Sequence, residues 1–509
     1  MRRLLQLVIP CVLLSGCFGP GQGVEVPQDQ IYFPVGLALD KDAKHVFVVS
    51  SDFDLQYNGG AVQSYDLDKL QKALPSVCNG PEDCGGSPCN NGLCVPREPS
   101  SSDPDPSPCP DEKDRADSDR LLFPGRCQPI DPRTIQQDTV KIGAFATDAI
   151  LRPRDDSDTP EQRLFVPVRG DSTLHWLDVN GEDGTLECGQ HGSADKSCNA
   201  EHRAGDDPSV TPRGIKLNSE PFALDASEHG ETIVVTNQTT GTASLFVNDW
   251  NTRPLLKFAL ASDRIPSRPV GIAAVPQPLA PDEQPNPFTT FLMTFRNSAQ
   301  VRLLRFAPDG TDDSTNQARP YLVDGSGVAI DANSVGSDSR GIAVDASARK
   351  RAKDHCAAGD SVCIDAANLV PLDVYVANRA PSSLLIGRTR PPQEYPYFFQ
   401  SVALTAGPSR LVVGHVTTAS GEDETRVFVA CFDSRRVFVY DPQRSRVETE
   451  ILTGRGPYAL VVDPKRQLLY VGHFTDSYVG AYSLDLAHPA TYGTMLGTLG
   501  TPKSPRASK

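Results

Sequence analysis

Apolar positions along this 509-residue chain fall into two kinds of run. The first follows Met1-Arg2-Arg3, covers residues 4–14 and closes on Ser15-Gly16-Cys17. A cationic start, a short apolar core and small residues before a cut point predict a secretory signal over residues 1–16, too short to span a bilayer. Every later run is short, β-branched or aromatic, and bounded by Gly, Pro, Asp or Asn, which predicts strands.

These strands recur seven times in one order: a Pro-led or small-residue turn, a strand often ending in Asp, a polar turn, then two more strands. The clearest copy reads Gly456-Pro457-Tyr458-Ala459-Leu460-Val461-Val462-Asp463, then Leu468-Leu469-Tyr470-Val471-Gly472-His473, then Tyr478-Val479-Gly480-Ala481-Tyr482. Others begin at Pro34, Pro221, Pro269, Arg340 and Pro408, and the weakest starts with Gly143-Ala144-Phe145-Ala146-Thr147-Asp148. Pro221 and Pro269 lie 48 positions apart, and Pro408 and Pro457 lie 49 apart. That interval is one four-stranded blade, so the chain is expected to be all-β: a seven-bladed β-propeller over residues 31–500 with loop insertions. An all-β sandwich would have no cause to repeat one strand order. Residues 17–30 form a tether and 501–509 a tail. Gly493-Thr494-Met495-Leu496-Gly497-Thr498-Leu499 is expected as the last outer strand, with Val24-Glu25-Val26 beside it.

The formal charge of −15 argues against nucleic-acid partners, which need a basic face. Of thirteen Cys, six (Cys78, Cys84, Cys89, Cys94, Cys109, Cys127) crowd an insertion over 76–130 between the first and second blades. Exported chains with paired loop Cys are disulfide-bonded, so this insertion is expected to be a small disulfide knot of open connectivity. Zinc is the alternative, but no Cys-x-x-Cys occurs and no His is near. Cys188 with Cys198, and Cys356 with Cys363, are expected to pair, and Cys431 to be a buried free thiol. Residues 178–184 resemble a calcium loop, but the Gly comes one place late, so a solvated turn is expected.

Leu14-Ser15-Gly16-Cys17 resembles the lipobox of bacterial lipoproteins. The resemblance implies cleavage before Cys17 and attachment of fatty acids such as palmitate to it, and Phe18 in place of Asp implies outer-membrane anchoring. Tyr375-Val376-Ala377-Asn378, Tyr470-Val471-Gly472-His473 and the Pro-led turns resemble YVTN-type repeats of lactonase-like seven-bladed propellers, over about residues 31–500.

Chemistry in such a ring would sit at the axial funnel. Aligning the second strands puts Arg169, Arg296 and Arg379 at one position just past the strand end, with Asp171, Asn237, Asn297, Asn378, Asp433 and His473 near that level. Three equivalent Arg suit an anion. The bland alternative is a set of exposed turn residues. The lactonase resemblance makes His473, with Arg379 or Arg296, the nominees for water activation and oxyanion stabilisation. No nucleophile elbow or phosphate loop appears, and the nine His lack ligand spacing, so no metal or cofactor is expected. The leading expectation is a monomeric, membrane-anchored extracytoplasmic binding or scaffold protein. Its partner would be an envelope protein or cell-surface ligand, with the Cys-rich insertion as a recognition arm. A lactonase-like hydrolase is the alternative, and a redox quinoprotein-like role ranks behind it.

Overall fold

The computed structural model describes residues 23–94, 129–154, 161–211, 213–276, 289–307, 320–329, 338–357 and 359–502. The signal, Cys17, Cys109, Cys127 and nearly all of the tail lie outside these residues. Seven antiparallel sheets form in chain order, each stepping outward from an inner strand. The inner strands are Pro34–Leu39, Ile150–Pro153, Pro221–Ala226, Pro269–Val275, Ser339–Asp345, Pro408–Thr417 and Pro457–Asp463. The expected seven-bladed propeller is present.

Short β-branched strands form here because both faces of each sheet are covered by the neighbouring sheets. The core therefore lies in slabs between blades: Phe165, Leu174 and Trp176 of blade 2 pack on Ile233, Val235 and Phe246 of blade 3. Near the axis the inner strands come so close that a side chain would not fit. A Cβ on Gly271 would lie 2.1 Å from the Arg340 carbonyl of the next blade.

Two expectations need correction. In blade 2 the first strand does not run regularly from Gly143. Ala146 bridges Val168, and ladder pairing resumes only at Ile150 with Phe165. Within the unpaired stretch between them, Asp148 forms an ion pair with Arg410 of blade 6. Met495–Leu499 is the last outer strand as expected, but Val24-Glu25-Val26 does not pair beside it. That edge is taken by Pro129–Ile130, which runs parallel to it. The Val24 carbonyl instead accepts the Asn58 N–H.

Blade 1 and blade 7 each draw their four core strands from their own end of the chain, and one short strand crosses the seam: Pro129–Ile130, just ahead of Gln136–Ile142, the outer strand of blade 1, adds a fifth strand to blade 7. Side chains add to the closure. Leu37, Val46 and Val48 of blade 1 pack on Tyr470, Val479 and Ala481 of blade 7. Arg466 donates to the Ala43 carbonyl and pairs with Asp68 and Asp463. The described part of the Cys-rich insertion docks on the same seam. Cys78 bonds to Cys89 and Cys84 to Cys94, Val77, Leu93 and Ile130 join the seam core, and the Asn79 amide donates to the Ala487 carbonyl.

Cys188–Cys198 and Cys356–Cys363 pair as expected. Cys431 is free and buried, and burial pushes its thiol up to about 12, so it is inert. The turn at residues 178–184 satisfies itself: Asn180 accepts the Glu182 N–H, Asp183 accepts from Thr185, and Asp178 holds Arg163. Asp178 and Asp183 are thus engaged within the protein, while Glu182 is exposed.

Candidate functional site

One turn, repeated around the ring, builds the mouth of the axial funnel. In each blade a residue at the end of the second strand donates its backbone N–H to a residue ahead of the inner strand, immediately ahead of it in every blade but blade 2. The pairs are Ser51 to Phe33, Arg169 to Phe145, Gln238 to Glu220, Arg296 to Arg268, Arg379 to Asp338, Phe432 to Gly407 and Phe474 to Gly456, at 2.8–3.1 Å. The acceptor has a left-handed backbone in Phe33, Phe145, Glu220, Arg268, Gly407 and Gly456, with φ between 50° and 85°. A bulky residue pays roughly 1–2 kcal/mol for that conformation, so the turn places these side chains at some cost to stability.

The composition of these positions is segregated. Blades 2 to 5 supply Arg169, Glu220, Gln238, Arg268, Arg296, Asp338 and Arg379. Blades 6, 7, 1 and 2 supply Phe432, Phe474, Phe33 and Phe145.

On the polar side three arginines are matched. Arg169 lies 2.7 Å from Glu220 and Arg379 lies 2.6 Å from Asp433. Arg340, at the start of the blade 5 inner strand, forks onto both oxygens of Asp338, its Nη2 at 2.9 Å. Arg296 is left with a 3.8 Å approach to that same Asp338. Arg268 is exposed and has no carboxylate partner among the described residues. Burial lowers the Arg296 pKa, Arg340 lowers it further, Asp338 opposes, and Arg268 and Arg379 add to the depression. Arg296 therefore feels three other guanidinium groups, while two carboxylates, Asp338 and Asp433, serve the set. An incoming anion would relieve that repulsion.

The other side is aromatic. Phe53, on the loop between the second and third strands of blade 1, is 47% exposed. Its ring centroid lies 5.1 Å from Phe474, 5.7 Å from Phe145 and 6.0 Å from Phe33, spanning blades 7, 1 and 2. Phe432 and Tyr458 each stand 6.2 Å from Phe474. Phe474 and Tyr458 of blade 7 also pack against the core between blades 1 and 2.

Beneath the mouth, Arg410 of blade 6 reaches across the axis to Asp148 of blade 2 at 2.7 Å and to the Tyr458 hydroxyl at 3.1 Å. Burial works against both charges. The carboxylate and the phenol hold the Arg410 guanidinium above its usual value, so it stays charged. This bridge forms a floor.

The three aligned Arg thus share one backbone position, but His473 does not join them. It is fully buried in blade 7, its ring stacked 4.1 Å from Tyr478 and its Nε2 3.2 Å from the Tyr482 hydroxyl. Burial drops its pKa to about 3, which leaves it neutral and shut from the funnel. Asn237 and Asn378 are likewise buried, bonding Ser244 and Pro381. Asp171 is occupied by Thr173 and His175. Sequence reasoning missed Arg268, Arg340, the Phe53 cluster and the Arg410 bridge. Arg268 directly precedes the inner-strand Pro269, where aligning the repeats would have found it, whereas blade 5 has Ser339 in place of that proline and nothing marks Arg340.

Asp52, beside Phe53, is fully enclosed, and its Oδ2 has no hydrogen-bond partner among the described residues. Burial lifts its carboxyl to about 7 despite the Tyr57 N–H on Oδ1. A carboxyl raised on folding favours the fold when protonated, and this contribution fades as pH climbs from its unfolded value toward 7. Asp52→Asn should therefore flatten the fall in thermal midpoint between pH 4 and 7, read as the variant-minus-parent difference across a pH series. A constant difference would mean that Asp52 does not titrate there.

No protein-family profile and no curated protein matches the chain. Solved structures do resemble it. The periplasmic gluconolactonase PpgL of Pseudomonas aeruginosa has 15% identity, with 83% of this chain and 86% of that one covered and a TM-score of 0.44. Sqt1 of Saccharomyces cerevisiae has 7% identity, coverages of 95% and 89%, and a TM-score of 0.45. Virginiamycin B lyase of Staphylococcus aureus has 8% identity, coverages of 89% and 94%, and a TM-score of 0.39. At these identities the likeness concerns the fold alone.

Proposed function

We propose that this chain is an extracytoplasmic binding protein, anchored in the bacterial outer membrane through lipid on Cys17, whose funnel mouth takes an anionic ligand. The lipobox-like sequence supports the anchor, and four disulfides suit an oxidising compartment. The observation that carries the ligand class is Arg296, a half-buried cation among three others with only a shared, distant carboxylate. Hydrolysis of a lactone has less support, because the His nominated to activate water is enclosed in a blade and neutral.

Titration calorimetry with citrate tests this reading. The lipidated protein in detergent should bind citrate, more weakly as salt rises, and Arg296→Ala should weaken binding about tenfold, in line with the loss of one charge-assisted contact. Equal affinity in parent and variant would refute it.

A further inference from the structure

The segregation of the funnel mouth carries the ligand class further. We infer that the mouth binds a carboxylate bearing an apolar planar ring, an aryl acid, with its charge at Arg296 and its ring on the wall of Phe53, Phe145 and Phe474. This rests on the reading of the rim as an anion site and adds the second half of the ligand.

The two halves adjoin at both ends. Arg169 hydrogen-bonds through its backbone to Phe145, so one turn of blade 2 presents a cation and a ring together. At the other border Phe432 is followed by Asp433, which holds Arg379. A ligand filling the mouth thus meets cations on one side and rings on the other.

The wall also discriminates. Its rings already meet edge-on or tilted at 4.9–6.0 Å, and a further aryl ring over half-exposed Phe53 would extend the same geometry. A sugar acid would need partners for its hydroxyls, and phenylalanine rings offer none. The one hydroxyl of the cluster, on Tyr458, already accepts from Arg410. The Arg410–Asp148 bridge keeps the site shallow and stops a ligand from threading the axis.

Titrations of the lipidated protein in detergent with propionate, 3-phenylpropionate, galacturonate and citrate test the inference by calorimetry or ligand-observed NMR. Phenylpropionate should bind at least tenfold more tightly than propionate or galacturonate. Phe53→Ala should remove most of that preference, while Phe53→Leu keeps part of it. Equal affinities for phenylpropionate and propionate, a preference for galacturonate, or a preference untouched in Phe53→Ala would each overturn the inference. If citrate still binds through Arg296 in such a case, the anion site survives and only the ring specificity falls. If no anion binds, the reading of the rim falls with it.

Discussion

Arg426→Ala should lower the stability of the protein by roughly 3–5 kcal/mol, the range for stripping the partner from buried charges. Arg426 is 1% exposed and sits among three carboxylates of blade 6. Its Nη2 lies 2.7 Å from Glu424 and 3.7 Å from Asp441, and its Nε lies 2.9 Å from Glu448. Burial opposes the charge on Glu448, but Arg426 and the Tyr492 hydroxyl overcome it and hold the carboxyl below its usual value. Tyr492 comes from blade 7, so the network also ties two blades together. Without Arg426, Glu448 must either stay charged without a counter-ion or take up a proton. The loss should therefore shrink at acid pH, where the carboxyls are neutral in both states. Lysine should recover only part of it, because one ammonium cannot satisfy Glu424 and both Glu448 oxygens as a guanidinium does. Urea denaturation of the three proteins measures the effect. A loss under about 1 kcal/mol for Arg426→Ala would show that water reaches this network.

The architecture was legible because its signal is periodic. A blade needs a turn, a strand and a strand, and the intervals of 48 and 49 residues survive in the sequence wherever no loop intrudes. The site was legible only where it shares that period. Arg169, Arg296 and Arg379 could be aligned because they share one register position at the end of the second strand, which in blade 5 runs on through Arg379. His473, Asn237 and Asn378 were grouped with them, yet they hold the position one residue earlier. Side chains alternate faces along a strand, so one step separates the buried His473 from Phe474 at the mouth. The Arg410–Asp148 bridge left no local trace, since its partners are 262 residues apart and meet only when blades 2 and 6 face each other across the axis. The described part of the insertion is a related case. Dense Gly, Asn and Pro marked a disulfide knot, but gave no sign that Val77 and Leu93, the apolar residues flanking its cysteines, dock on the seam between blades 1 and 7.

That docking predicts a second large effect. Because only the two-residue strand Pro129–Ile130 crosses between blades 1 and 7, the seam relies on packing and on its pairing with Met495–Leu499. The disulfides fix one flank of this clasp. Cys78–Cys89 and Cys84–Cys94 close loops with sequence separations of 11 and 10 residues. Each is worth roughly 2.5–3 kcal/mol in the chain-entropy model. Changing all four cysteines to serine should free the knot and loosen Val77 and Leu93 from the seam. The outer edge of blade 7 should then open locally, since a strand that loses its cover becomes an edge. Hydrogen exchange at the amides of Met495–Leu499 is expected to speed up at least tenfold, while Thr232–Asn237 in blade 3 and Thr290–Phe295 in blade 4 keep their protection. The contrast between blades separates a clasp from a general stabiliser. Uniform acceleration around the ring would mean that the disulfides act on the whole fold, and unchanged exchange at Met495–Leu499 would mean that the seam holds without them. The position of the knot favours the first outcome, because its described contacts converge on blades 1 and 7.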